Sequence, residues 1–219
     1  MRLYIKLSRN SKIIPFNYQH LLTGTIHKWL GEENEEHGNR SLYSFSWLQK
    51  TIKTHHGFNL TADAYFFISA HDAEFIKRIT RGILLDPNTF CGSKVNEIQL
   101  KQTPVFSSEE VFVLNSPILL RKREQERVKH VTYLDEDFNQ LLTESLKGKL
   151  RIARLADEGV SVALDKSYPH PQTKLVDYKG IKNRTTLAPV MVSGSPEQVA
   201  FAWQVGLGNS TGIGFGAIK

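Results

Sequence analysis

Gly206-Leu207-Gly208-Asn209-Ser210-Thr211-Gly212-Ile213-Gly214-Phe215-Gly216-Ala217-Ile218-Lys219 is the stretch whose neighbours decide the fold. Upstream, Ser195-Pro196-Glu197 is a helix start with proline at the first helical position, and Val199–Val205 continues the helix. Downstream, Gly214–Ile218 reads as a strand. Helix, glycine-rich loop, strand is the reverse of a triphosphate-binding loop, which runs from strand to helix and ends Gly-Lys-Ser/Thr. The same order excludes a dinucleotide-binding turn. Glycines lack a Cβ, so their amides can approach a ligand closely. Asn209, Ser210 and Thr211 add small hydrogen-bonding side chains. Two uses are open. One is a concave set of amides around phosphate oxygens, centred on Gly208 to Thr211. The other is a tight helix-to-strand connection with glycines at positive φ.

Outward from this loop, the second half of the chain reads as strand Val111–Leu120, then a helix from Asp135 to about Ala156 with Phe138, Leu141, Leu142, Leu146 and Leu150 as its apolar stripe. Gly148 interrupts that stripe. Val160–Leu164 and Thr185–Val192 read as strands, joined by the excursion SYPHPQTKLVDYKGIKNR. The first half shows the same order. Leu3, Ile5 and Leu7 alternate with polar residues as a half-buried strand. Asn17 is placed to cap a helix carrying Leu21, Leu22, Ile26, Trp29 and Leu30, and Gly31 stops it. Strands follow at Ser41–Trp47 and Phe58–Ser69, then a helix capped by Asp72 and a strand at Val95–Gln102. The expected fold is α+β: two tandem ferredoxin-like (β-α-β-β-α-β) units packed side by side, residues 1–104 and 105–219.

Composition narrows the function. The 219 residues are 40% hydrophobic and 23% charged, an ordinary globular balance. Cys91 is the single cysteine, which rules out an intrachain disulfide and paired-cysteine zinc sites. No apolar run is long enough for a signal peptide or a membrane span, so a cytoplasmic location is expected, with no membrane partner. The net charge of +6 favours polyanionic partners, nucleic acid first. Residues 1–100 carry 12 basic and 9 acidic side chains and residues 101–219 carry 16 and 13, so the charge is not a basic tail.

The tail, the pattern Gly180–Val192, Gly194 and the helix Pro196–Val205 together resemble the CRISPR-associated repeat-RNA endoribonucleases of the RAMP superfamily. Their closing signature is a helix, a Gly-x-Gly loop and a Gly-Phe-Gly strand, here Gly206-Leu207-Gly208 and Gly214-Phe215-Gly216. MRLYIKL, PFNYQHLLTGTIHKWL and RSLYSFS resemble the family's first strand, first helix and next strand. The resemblance implies RNA bound across two ferredoxin-like folds and cleavage of CRISPR precursor transcripts within the repeats. It implies a mechanism without metal or cofactor, in which the 2′-hydroxyl attacks the adjacent phosphate to leave a 2′,3′-cyclic phosphate and a 5′-hydroxyl. The partner is CRISPR repeat RNA, with effector-complex subunits as further candidates. The protein is expected as a monomer or homodimer. The alternative is a non-catalytic RNA-binding RAMP subunit of an effector complex.

That chemistry needs a base, an acid and a stabiliser of the phosphorane, and histidine suits the proton transfers. The family draws its catalytic residues from the first helix and the loop after it. His27 lies late in the helix and His37 in the loop. Many members carry a tyrosine near the position of His27, so a two-histidine site is expected here. Arg40 stands where a lysine often precedes the next strand and is the phosphate-stabilising candidate, with Lys28 as a second cation. By residue pattern alone His27 is a solvated helix residue, and His37 sits among Glu32, Glu33, Glu35 and Glu36, which favour its charged form. No histidine spacing suggests a metal site. For RNA contact, the basic run containing Arg121, Lys122, Arg123, Arg127 and Lys129 and the run Lys182-Asn183-Arg184 are the candidates, each also readable as a solvated surface.

Overall fold

A computed structural model of the chain describes residues 1–31, 41–125 and 127–219. The first half runs β1 (Arg2–Leu7), α1 (Gln19–Leu30), β2 (Tyr43–Phe45), β3 (Gln49–Lys53), β4 (Phe58–Ala70), α2 (Ala73–Leu85) and β5 (Val95–Lys101). The alternation in β1 sends Leu3, Ile5 and Leu7 into a core shared with α1 and α2. Helix α1 begins later than an Asn17 cap predicts. Tyr18 is the N-cap residue and makes no side-chain capping bond. Burial fixes Tyr18, whose hydroxyl accepts from Leu48 N at 3.1 Å, while His20 Nδ1 donates to the Asn17 carbonyl at 2.8 Å. Gly31 stops α1 at φ 82, and Asp72 caps α2 by accepting from Glu74 N. The helices approach closely at Gly82, where a Cβ would overlap the Trp29 backbone. The sheet order is β2-β4-β1-β5, all antiparallel, with β3 added against the long β4. That is the ferredoxin-like order.

The second half runs β6 (Glu109–Phe112), β7 (Leu120–Glu124), β8 (Arg127–Val131), α3 (Phe138–Ile152), β9 (Ser161–Leu164), β10 (Gln172–Tyr178), β11 (Ile181–Leu187), β12 (Val190–Ser193) and α4 (Pro196–Val205). Its sheet is β6-β12-β9, and an antiparallel bridge from Leu114 to Ile218 extends it beyond β6. The order therefore repeats that of the first half. The strand expected at Gly214–Ile218 is reduced to this bridge, because Gly214 and Gly216 sit at φ 89 and 63, outside extended geometry. The strand expected over Val111–Leu120 breaks at Asn115-Ser116-Pro117, and the one over Thr185–Val192 breaks at Ala188-Pro189, since proline cannot donate to a ladder. The excursion before Arg184 folds as the hairpin β10–β11, and β7–β8 is a second inserted hairpin. Asp135 does not open α3. Its carboxylate accepts from Thr132 N, and Asp137 is the N-cap. Gly148 is buried within an unbroken α3. Ser195 and Gln198 form a capping box at α4.

Arg2 locks the halves together at 1% exposure. Its Nη2 donates to Trp203 O (3.1 Å) and Ile218 O (2.7 Å), and its Nε to Ser69 Oγ. The guanidinium carbon lies 3.9 Å from the Phe67 ring centre and 3.7 Å from that of Trp203. Burial pulls its pKa down to about 10, which leaves it charged at neutral pH. Among the described residues no helix is long and apolar enough to cross a membrane.

Candidate nucleic-acid interface

Strand alternation divides the first basic run between two faces of its hairpin. Lys122 and Lys129, paired across β7 and β8, reach Asp137 (2.8 Å) and Asp135 (3.1 Å) at the start of α3. Arg121 and Arg123 alternate with them and make no ion pair among the described residues. Hairpin β10–β11 lies beside β8 and brings Lys182 and Arg184 to the same region. One side chain ties β7 to the tail and another ties it to the second hairpin. Arg121 N donates to Asn209 Oδ1 (2.8 Å), and Arg121 Nη2 donates to Asn183 Oδ1 (3.0 Å). Asn183 is itself buried and donates to Ile181 O. His130 stands opposite Arg121 on the hairpin. Partial burial pushes its pKa below the ordinary histidine value, and the guanidiniums of Arg121 and Arg184 push it further, with a hydrogen bond to Asn183 opposing them.

The glycine-rich tail packs as a tight helix-to-strand connection. Gly208 and Thr211 are buried, and the loop's amides are taken up by its own turns, Leu207 N to Gly216 O and Gly214 N to Thr211 O, and by the segment before β7, Asn209 N to Leu119 O and Gly216 N to Pro117 O. Its carbonyls face the first half. Gln19 Nε2 donates to Ile213 O and Gly214 O, Trp47 Nε1 to Gly214 O, and the Tyr43 hydroxyl to Gly212 O. The Thr211 hydroxyl accepts from Lys149 Nζ, a buried ammonium that also caps Val205 O and Gly206 O at the end of α4. Of the loop residues expected to meet phosphate, Gly208 and Thr211 are buried, and a Cβ at Gly208 would meet Leu119 O. Asn209 acts through Arg121, and Ser210 is partly exposed at φ 60.

At the other expected centre, His27 is half-buried in the last turn of α1. Lys28 is tied to Asp86 Oδ2 (2.8 Å) and to Asn88 O. That ammonium, with the Asn88 amides, holds the Asp86 carboxyl down at about 2. Lys28 is thus a structural tether between α1 and the end of α2 as well as an exposed cation. His37 and Arg40 lie outside the described residues. Among those that are described, no group of three or more His, Cys, Asp or Glu side chains gathers to hold a metal ion.

A cleft of about 590 Å³ opens between the start of α1, β3 and β10. Lys174 Nζ lies 4.6 Å from the Trp47 ring centre, and Lys53 Nζ lies 5.8 Å from that of the half-exposed Phe16. Burial lowers the Lys174 pKa. Aromatic faces beside lysines suit unpaired bases and their phosphates. These residues, like Asn183, are not legible as a motif, because they come from segments far apart in the chain.

The family model described as CRISPR associated protein Cas6, C-terminal, matches residues 99–219. The chain is similar to the CRISPR-associated endoribonuclease Cas6 1 of Methanocaldococcus jannaschii, 23% identical over all of this chain and 92% of that protein. The solved structure of a Cas6-related gene product from Pyrococcus furiosus superposes at TM-score 0.83 and 26% identity, covering 100% of this chain and 97% of the other. A structure described as a RAMP protein binding different RNA substrates also superposes at 0.83, with 23% identity and coverage of 100% and 98%. With the tail, the doubled ferredoxin-like order and a family match over more than half its length, the chain belongs to the Cas6 family of CRISPR-associated proteins.

Proposed function

We propose that this chain is an endoribonuclease that cuts CRISPR precursor RNA within its repeats and needs no metal ion to do so. Family membership supports the substrate class. The observation that carries RNA binding is the convergence of Arg121, Arg123, Lys182 and Arg184 on two adjoining hairpins, pinned by Asn183 and Asn209. In the proposed reaction one of His27 and His37 takes the 2′-hydroxyl proton. The 2′-oxygen attacks the adjacent phosphorus, and the bond to the 5′-oxygen breaks. The other histidine protonates the leaving oxygen, and Arg40 neutralises charge on the phosphorane. The products are a 2′,3′-cyclic phosphate and a 5′-hydroxyl. Residues 1–104 supply the cutting groups and residues 105–219 most of the grip.

The test is incubation with the cognate repeat RNA in EDTA. A single cut with a cyclic phosphate end is expected, and a 2′-deoxy sugar at the cut site should stop cleavage while sparing binding. His37→Ala should lower the rate at least about a hundredfold with little change in affinity. The tether of Lys28 to Asp86 favours one second reading, an RNA-binding RAMP subunit that does not cut. Tight binding of repeat RNA with no product at any protein concentration would select it.

A further inference from the structure

The sheet of the first half has a second face. Leu3, Ile5, Phe66 and Ile68 point into the core, so their neighbours Tyr4, Tyr65 and Phe67 point the other way. Strands β1 and β4 are the two central strands of the order β2-β4-β1-β5. Tyr4 lies opposite Phe67 and Lys6 opposite Tyr65 in the register. The Tyr4 ring centre is 5.9 Å from that of Tyr65 and 5.6 Å from that of Phe67. Phe67 is buried beneath the Arg2 guanidinium, which in turn rests on Trp203. Tyr4 and Tyr65 remain partly exposed at the open end of this aromatic column. They line a hollow of about 240 Å³.

We propose that Tyr4 and Tyr65 form a stacking platform for two unpaired bases of an RNA strand, a site separate from the basic hairpins of the second half. Aromatic side chains on the central strands of an open four-stranded sheet are a general solution for holding unpaired bases. The column beneath fixes the rings, so little side-chain freedom remains to be lost on binding. Lys101 Nζ stands 4.8 Å from the Tyr4 ring centre. Its long stem lets a base replace it over the ring while the ammonium moves to the neighbouring phosphate. Lys50 lies on the far rim. Of the two acidic neighbours, Glu97 is already paired with Lys6 at 2.7 Å and Asp63 offers acceptors to base amino groups, while the Gln99 amide can both donate and accept.

This inference rests on the RNA-binding reading. It is tested by anisotropy titration of the full chain with two single strands of equal length, one natural repeat RNA and one abasic over a short window moved along the strand. Tyr4→Leu/Tyr65→Leu should weaken the natural strand by about tenfold or more. It should leave unchanged the strand whose abasic window already lacks the stacked bases. Tyr4→Phe/Tyr65→Phe, which keeps the rings, should bind like the original. Equal binding of the natural strand by the original and the Leu variant would overturn the platform, as would an equal loss on every abasic strand. A protein that binds no RNA at all would overturn the RNA-binding reading as well.

Discussion

Asn183 is the residue on which the second-half surface turns. A buried amide that accepts from Arg121 and faces His130 sets where a guanidinium can meet a phosphate. Asn183→Leu should leave the fold in place yet weaken RNA binding by about 1–2 kcal/mol, read by anisotropy at fixed salt. His130 adds a pH signature. Its folded pKa is lowered, so its contribution to stability is full above its unfolded value near 6.5 and is lost as pH falls through the folded value. An NMR titration of the imidazole should give a midpoint below 6.5, and bound phosphate beside Arg121 and Arg184 should raise it. At this scale the sequence showed the cations but not their division. Lys122 and Lys129 read like Arg121 and Arg123 until strand pairing shows which ones meet Asp137 and Asp135.

Among the elements, those with strong local signals were legible. Asp72 before α2, Ser195-Pro196 before α4 and the alternation of β1 each combine a cap or period with a matching apolar face. Strands β3 and β10 were not, because most of their side chains are exposed on both faces and show no clean apolar alternation. The tail was legible in order but not in environment. Asn, Ser, Thr and Gly announce a turn whether water or a neighbouring sheet covers it. Here Tyr43, Trp47 and Gln19 cover it. Gly216→Ala should therefore destabilise the protein by more than about 2 kcal/mol in a denaturant melt, since φ is 63 and the new Cβ would overlap Leu207 O. If the tail were an open cradle, the same change would alter RNA binding before stability.

For the molecule as a whole, two units of the same strand order are joined by polar contacts reaching across nearly the full chain. Arg2→Met should cost about 2–4 kcal/mol, because Trp203 O and Ile218 O lose their donor at a buried site. A calorimetric scan should show this as a lower transition temperature. RNA affinity should fall steeply with salt, and Arg184→Gln should reduce the slope of log K against log salt by about 0.7. The stack around Arg2 has one more use. The chain holds three tryptophans. Trp203 lies against the guanidinium where the halves meet, and Trp47 lines the cleft under Lys174. A protein carrying Trp203 alone reports by its fluorescence when the halves part, and one carrying Trp47 alone reports when the cleft fills, so opening and occupancy can be timed separately without an added label.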